Sequence, residues 1–195
     1  FGIVQENNGK ILFNNKNIKI KNPQEAVKIG IGYIPADRKN EGLIQENSVK
    51  DNSILTIFKN LTKFNFFNSN KASTITKEYK DKLNIRVSDI NTRVMNLSGG
   101  NQQKVVIAKW LAKKCKVLLI DEPTRGIDVA AKAQIWELIE EFTNSGGSVI
   151  IASNEIPELI SGCNRIIAMQ KSKIVNTFEQ ASFNEEQISL CISTN

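Results

Sequence analysis

The sequence contains no histidine, and its three cysteines, Cys115, Cys163 and Cys191, lie far apart along the chain. Without histidine or a Cys-x-x-Cys spacing, a zinc centre is not expected. An odd number of cysteines in apolar surroundings favours buried thiols in a reducing compartment over a framework of disulfides.

Long apolar runs are also lacking, because none approaches the roughly 18 residues that a membrane-spanning helix needs. Any link to a membrane is therefore expected to come through a partner. The formal net charge is +6, which could indicate nucleic acid, but the lysines are scattered and not interleaved with exposed aromatics. We therefore expect no nucleic-acid partner. A chain of 195 residues has room for one domain with a sizeable core.

The most informative stretch runs from residue 96 to residue 129 and starts with a glycine turn, LSGG, at residues 97–100. The spacing of apolar residues after this turn predicts a helix that reaches about Lys113. One face of this helix is expected to carry Val105, Ala108, Leu111 and Ala112, with Gln102, Lys104 and Lys109 mostly elsewhere.

The helix is followed by an unbroken aliphatic run, Val117 to Ile120, that ends in Asp121 and Glu122. Such a run is typical of a central parallel strand that is buried on both faces. Open α/β sheets bind their ligands at the carboxyl ends of such strands. Because an unpaired buried carboxylate is costly, the two acids predict a cation site or a role in proton transfer. Ser148 to Ala152 is predicted to be the next buried strand.

The glycine turn has a chemistry of its own. Ser98, Gly99 and Gly100 leave backbone N–H groups open at the start of a helix, and the helix dipole adds positive potential there. The turn is therefore suited to binding a phosphate group.

Together these motifs resemble those of ABC-type ATPases. The LSGG turn followed by Gln102 and Gln103 resembles their signature loop, Val117 to Glu122 their Walker B strand, and Gly126 to Asp128 their D-loop. The forms LSGGNQQK and DEPTRGIDV are similar to the second ATPase half of sugar importers of the ribose, galactose and xylose type. The segment IGYIPADRKNEGL, residues 31–43, resembles the same subgroup.

The resemblance implies an α/β fold of the P-loop NTPase class: a mostly parallel sheet flanked by helices, with a helical subdomain. We expect residues 1–47 to form part of the ATPase core, residues 48–95 the helical subdomain, and residues 96–195 the rest of the core. The Walker A loop GxxxxGK[ST] is missing, since Gly9-Lys10 is followed by Ile11. We expect the first strand and this loop to lie upstream, so that the chain is a fragment or a decayed gene product, and we favour a fragment.

The resemblance also implies roles for individual residues. Asp121 is the expected ligand of Mg²⁺, and Glu122 the expected catalytic base or water-orienting group. Asn154 stands where these ATPases carry a switch histidine, and Ala36 where they carry a metal-contacting glutamine. The residues expected to contact ATP across a head-to-tail dimer are Ser98, Gly99, Gly100, Asn101, Gln102 and Asp128.

The expected function is ATP binding and hydrolysis that power import of a monosaccharide, at the cytoplasmic face of the cell membrane. The implied partners are a membrane-spanning permease subunit, a first ATPase half on the same or another chain and, indirectly, a sugar-binding protein. Phe64, Phe66 and Phe67 are candidates for the permease contact. Two alternatives stay open: a degenerate, non-hydrolysing half that completes a partner's ATP site, and an importer of the nucleoside type.

Overall fold

The computed structural model describes residues 1–4 and 8–193. The chain divides into two compact units, Phe1–Ile151 and Ala152–Asn195. In chain order, the first unit contains β1 (Ile11–Phe13), β2 (Lys16–Ile18), α1 (Pro23–Ile29), β3 (Ile31–Ile34), α2 (Val49–Ile54), β4 (Thr62–Lys63), β5 (Phe66–Phe67), α3 (Ser69–Lys82), α4 (Gly99–Ala112), β6 (Val117–Asp121), α5 (Val129–Asn144) and β7 (Ser148–Ala152), whose last residue begins the second unit.

The sheet at the centre of the first unit has the strand order β3-β6-β7. β3 and β6 run parallel, with Ile31 opposite Val117 and Ile34 opposite Ile120. The prediction of a central parallel strand at residues 117–120 is therefore confirmed, as is the α/β fold with flanking helices. Because β3 and β6 are parallel, the loops that follow them leave the sheet at the same edge.

The prediction that Ser148–Ala152 is a buried strand is wrong. Its residues alternate between exposed and half-buried, and the side chain of Ile150 is 64% exposed. Only Val149 and Ile151 pack against the main core. Within the described residues β7 is an edge strand with one uncovered face, so its unbroken apolar sequence does not correspond to burial on both faces.

Helix α4 is the core helix of the first unit, with Val105, Val106 and Ala108 fully buried. The expectation that its polar side chains lie mostly off the buried surface is wrong for Gln102, Lys104 and Lys109, which are at most 6% exposed.

The nitrogen donors of these buried side chains have partners, which is what makes their burial tolerable, whereas the side-chain oxygen of Gln102 has none among the described residues. The amide of Gln102 donates to the Val94 carbonyl at 3.0 Å. The ammonium of Lys104 donates to the side-chain oxygen of Gln134 at 2.7 Å. Helix α4 is therefore enclosed on nearly all sides rather than along one stripe.

Residues 48–95 are largely helical and pack on α4 through α2 and α3. Part of this region joins the main core, through Val49, Leu83, Ile85 and Val94. A separate small cluster contains Ile54, Ile57, Leu61 and Ala72. The region therefore has an apolar seam of its own but is also continuous with the core around α4. The proposed domain boundaries at residues 47 and 95 stay a prediction.

The second unit contains α6 (Ile156–Gly162), β8 (Arg165–Gln170), β9 (Lys173–Glu179) and α7 (Glu185–Ser193). β8 and β9 form an antiparallel hairpin, and its core consists of Ile166, Ala168, Phe178 and Ile188. The helices of residues 1–4 and 8–193 all fall short of a membrane span in length or in apolar character.

Candidate functional site

The glycine turn at residues 97–100, called the signature turn from here on, forms the start of α4. Ser98 is the N-cap: its backbone is extended, and its hydroxyl oxygen accepts hydrogen bonds from the backbone N–H of Asn101 at 3.4 Å and from the Asn101 amide at 2.9 Å. The other end of the Asn101 side chain accepts from the backbone N–H of Arg86 at 2.8 Å. The turn is thus braced while Ser98 itself is exposed.

Both glycines of the turn are required by close packing. A methyl group at Gly99 would lie 2.6 Å from a guanidinium nitrogen of Arg38 and 2.9 Å from the carbonyl oxygen of Gly126. A methyl group at Gly100 would lie 2.7 Å from the Cβ of Ala131. These distances are well inside van der Waals contact, so only glycine allows α4 to start so close to the segment around residues 126–131.

That segment contains the D-loop, residues 126–128, and the first turn of α5. Asp128 is the N-cap of α5, and its carboxylate accepts from the backbone N–H of Ala131 at 3.0 Å. The structure therefore brings the signature turn and the D-loop together as neighbours. The contact of Asp128 with a nucleotide stays a prediction, because the described bond of its carboxylate is a helix cap.

Asp121 and Glu122, the acid pair, lie at the carboxyl end of β6 and are both partly buried. Glu122 has a φ of 47°, in the left-handed region, which costs a residue with a side chain roughly 1–2 kcal/mol. Strained backbone of this kind is concentrated at functional sites. Burial raises the pKa of the Tyr33 hydroxyl, and the negative charge of Asp121 raises it further, so Asp121 acts electrostatically on the neighbouring strand β3.

The acid pair fits a magnesium ion of the kind that nucleotides carry. No group of three or more His, Cys, Asp or Glu side chains able to hold a metal occurs among residues 1–4 and 8–193. Mg²⁺ commonly takes only one or two carboxylates from the protein and completes its shell with phosphate oxygens and water. Asp121, the expected ligand of Mg²⁺, places one such carboxylate at the end of β6, and its contact with the ion stays a prediction.

Arg38, a residue to which sequence reasoning assigned no role, links the two loops of the site. Its guanidinium donates to the carbonyl oxygens of Arg125 at 2.6 Å and of Gly126 at 3.1 Å. One signal was available in the sequence: Arg38 follows β3, and the parallel pairing of β3 with β6 puts the two following loops at one edge of the sheet.

Gln102 and Asn154 were also predicted to belong to the site. Gln102 is buried below the signature turn, where its amide holds the Val94 carbonyl, so its nucleotide contact stays a prediction. Asn154 is exposed and belongs to the second unit, and its role also stays a prediction.

The central strand of a parallel sheet ends in an acid pair, and the loop after that pair packs against the glycine turn that starts a neighbouring helix. This arrangement defines a nucleotide-binding α/β cassette. Residues 1–125 match the family described as ABC transporter. The chain belongs to this family, as the motifs around Ser98 and Asp121 predicted.

Curated relatives cover nearly the whole chain. The ribose import ATP-binding protein RbsA of Lactococcus lactis subsp. cremoris (strain SK11) is 40% identical over 188 residues, which are 96% of this chain and 38% of that protein. The xylose import ATP-binding protein XylG of Thermoanaerobacter pseudethanolicus is 43% identical over 183 residues, which are 94% of this chain and 36% of that protein. The chain thus spans less than two fifths of the length of these relatives.

Solved structures support the fold. The ADP conformation of an ATP-binding cassette of an ABC transporter has a TM-score of 0.75 at 19% identity and covers 97% of this chain and 74% of that one. A dimeric, post-hydrolysis cassette bound to ADP and phosphate has a TM-score of 0.74 at 24% identity, with 93% and 77% covered. At these identities the likeness shows the fold, and the fold agrees with the prediction.

Proposed function

We propose that this chain is part of the ATP-binding and ATP-hydrolysing component of an importer for a monosaccharide. The observation that carries the proposal is the packing of the signature turn against the loop that leaves the acid pair, through Gly99 and Gly126. The ribose and xylose import proteins among its relatives favour a sugar over other cargo.

In this proposal Asp121 would hold the Mg²⁺ of the bound ATP, and the ion would neutralise charge on the phosphates. Glu122 accepts a proton from the attacking water or orients it. Glu122 directly follows the strand and has left-handed backbone, a strained conformation of the kind that is concentrated at functional sites.

The signature turn acts on a second ATP, held by another ATPase half in a head-to-tail dimer. The exposed N-terminus of α4 supplies backbone donors and the positive end of the helix dipole to its phosphates. Ser98, Gly99, Gly100, Asn101 and Asp128 lie at this surface, while Gln102 holds the segment before Ser98 through the Val94 carbonyl.

The proposed partners are that ATPase half, a membrane-spanning permease subunit and, indirectly, a sugar-binding protein, at the cytoplasmic face of a membrane. Exposure of the hairpin formed by β4 and β5 supports a contact with the permease. Phe64 and Phe66 are 85% and 81% exposed, and Phe67 stacks on Phe58 with ring centroids 5.1 Å apart.

The test uses the complete gene product that carries this chain, reconstituted with its permease. Glu122→Gln should keep ATP binding and abolish the turnover of this half's own site, because the amide cannot take a proton. Glu140→Gln, an exposed acid on α5, serves as the matched control and should leave turnover unchanged. Turnover retained within a few-fold in Glu122→Gln would contradict the proposed role.

A degenerate half that only completes a partner's site is the second candidate. It is favoured by Asn154 and Ala36, which stand where a proton-exchanging histidine and a metal-contacting glutamine are expected in the family. In the same assay this candidate predicts that Glu122→Gln has no effect while changes in the signature turn abolish turnover. An importer of the nucleoside type would show the turnover pattern of the first proposal but be stimulated by nucleosides instead of sugars.

A further inference from the structure

Arg38 is a buried arginine that is held by carbonyl groups. The residue is only 9% exposed, and its two terminal nitrogens donate to the carbonyl oxygens of Arg125 and Gly126. Its Nε is buried and has no hydrogen-bond acceptor among the described residues.

The neighbouring carboxylate does not compensate this charge by a direct bond. Asp37 instead accepts from the backbone N–H of Asn40 at 3.2 Å and from the Asn40 amide at 2.7 Å, and so caps the short π-helix at Arg38–Gly42. A buried cation without a bonded carboxylate depends on the carbonyls that it does contact. The two bonds to residues 125 and 126 therefore specify where that loop lies.

The backbone element that contains Arg38 is bonded to α4, the helix that starts with the signature turn. The short π-helix at Arg38–Gly42 ends at Gly42, whose carbonyl oxygen accepts from the ammonium of Lys109 in α4 at 2.6 Å. The head of Arg38 lies under the signature turn, since a methyl group at Gly99 would collide with it at 2.6 Å. One side chain thus touches the signature turn and also holds residues 125 and 126, where the chain passes from the acid pair into the D-loop.

We propose that Arg38 is a positioning residue that locks the loop at residues 125–126 against the signature turn. This inference rests on the proposed function, in which the acid pair serves this half's own ATP and the signature turn serves the partner's. Arg38 fixes the position of the loop after the acid pair relative to the signature turn. A displacement at one ATP site therefore also displaces the residues of the other. In this proposal Arg38 acts through the loop and not through a bond to a nucleotide.

The first test measures the loop directly by limited trypsin digestion under native conditions. The Arg125 side chain is exposed, so the Arg125–Gly126 bond is a trypsin site whose cleavage depends on how firmly the loop is held. Removing two charge-assisted bonds should speed this cleavage by about tenfold or more in Arg38→Gln. Arg38→Lys keeps the charge but lacks the planar pair of donors, so it should also be cleaved faster than the wild type.

Two references separate loop release from general unfolding. Cleavage after Lys104, which is 4% exposed in α4, requires that helix to unfold. Arg93→Gln is the matched control, because Arg93 makes a 3.2 Å ion pair with Glu46 at the surface and should leave the Arg125–Gly126 rate unchanged. The proposal is overturned if this rate rises only in step with cleavage after Lys104, or if Arg38→Lys behaves as the wild type.

The second test measures ATP hydrolysis by the complete gene product with its permease. Arg38→Gln and Arg38→Lys should lower kcat by about tenfold while changing KM for ATP by less than about threefold, because Arg38 aligns the site without binding the substrate. An unchanged kcat would overturn the positioning role. If the wild-type assembly hydrolyses no ATP, the proposed function fails, whereas the digestion still decides whether Arg38 locks the loop.

Discussion

The ammonium nitrogen of Lys109 lies 2.6 Å from the carbonyl oxygen of Gly42 and donates a hydrogen bond to it inside the protein. The residue is 6% exposed, and its ammonium also lies 5.4 Å from the centroid of the Trp110 ring. Burial lowers the pKa of Lys109 from 10.5 to about 8. A lysine that loses its proton more easily when folded makes stability depend on pH.

The first prediction concerns this pH dependence. Between about pH 8 and pH 10.5 the unfolded chain keeps the Lys109 proton while the folded chain loses it, so this group increases the free energy of unfolding as the pH rises. The increase amounts to about 3 kcal/mol across that window. Lys109→Met removes it, and urea unfolding of both proteins at pH 7.5 and pH 10 measures the difference.

Other groups titrate in the same range but cancel in this comparison. Burial raises the pKa of Cys115 to about 11, which lowers stability as the pH rises past 9 in both proteins alike. The relevant quantity is therefore the free energy of unfolding of the wild type minus that of Lys109→Met. If this difference is the same at pH 7.5 and pH 10, the lowered pKa of Lys109 is refuted.

The second prediction concerns the contact between Gly100 and Ala131. Gly100→Ala introduces a methyl group 2.7 Å from the Cβ of Ala131, and overpacking of this kind typically costs about 1–3 kcal/mol. The double variant Gly100→Ala/Ala131→Gly removes the collision and should recover most of that loss. Thermal unfolding of the two single variants and the double variant measures the coupling.

Ala131→Gly alone is the control, because glycine near the start of a helix destabilises by up to about 1 kcal/mol. A coupling energy near zero in this cycle would mean that the close approach of α4 to α5 does not require Gly100. The glycine would then have to be explained by the phosphate site alone.

The sequence predicted the parts of this site that lie in one short stretch. These parts are recognisable from a helix cap, a glycine turn and an aliphatic run, each of which is local in the chain. The structure places Ser98 and Gly99 at the start of α4 and Asp121 at the end of β6, as expected. The parallel pairing of β3 with β6 was not needed for that inference. It identifies the end of the sheet at which the loops that follow the two strands meet.

What the sequence did not predict are the long-range polar contacts. Arg38 bonds to carbonyls 87 and 88 residues away, and Lys109 to one 67 residues away. A hydrophobic pattern assigns lysine and arginine to the surface because their burial is costly without partners. Backbone carbonyls are partners that every residue offers, so residue identity gives no sign of them. The edge position of β7 was missed for a related reason, since aliphatic residues such as Ile150 are alike in buried and exposed strands.

The third prediction separates the two roles that are assigned to Ser98, as a helix cap and as part of a surface for ATP phosphates. Ser98→Asp keeps the cap, because aspartate is a preferred N-cap and its charge suits the helix dipole. Stability of the chain should therefore stay within about 0.5 kcal/mol of the wild type, whereas Ser98→Ala should lose about 1 kcal/mol. Denaturant unfolding measures both changes.

ATP turnover by the complete gene product with its permease should rank these variants in the opposite order. The carboxylate of Ser98→Asp repels a phosphate at the start of α4, so turnover at the partner's site should fall by about tenfold or more, and by more than in Ser98→Ala. Asn22→Asp is the matched control, because Asn22 caps α1 in the same way, accepting from the backbone N–H of Glu25 at 2.9 Å. If Ser98→Asp hydrolyses ATP as fast as Asn22→Asp, Ser98 acts only as a cap, and the signature turn does not face a phosphate.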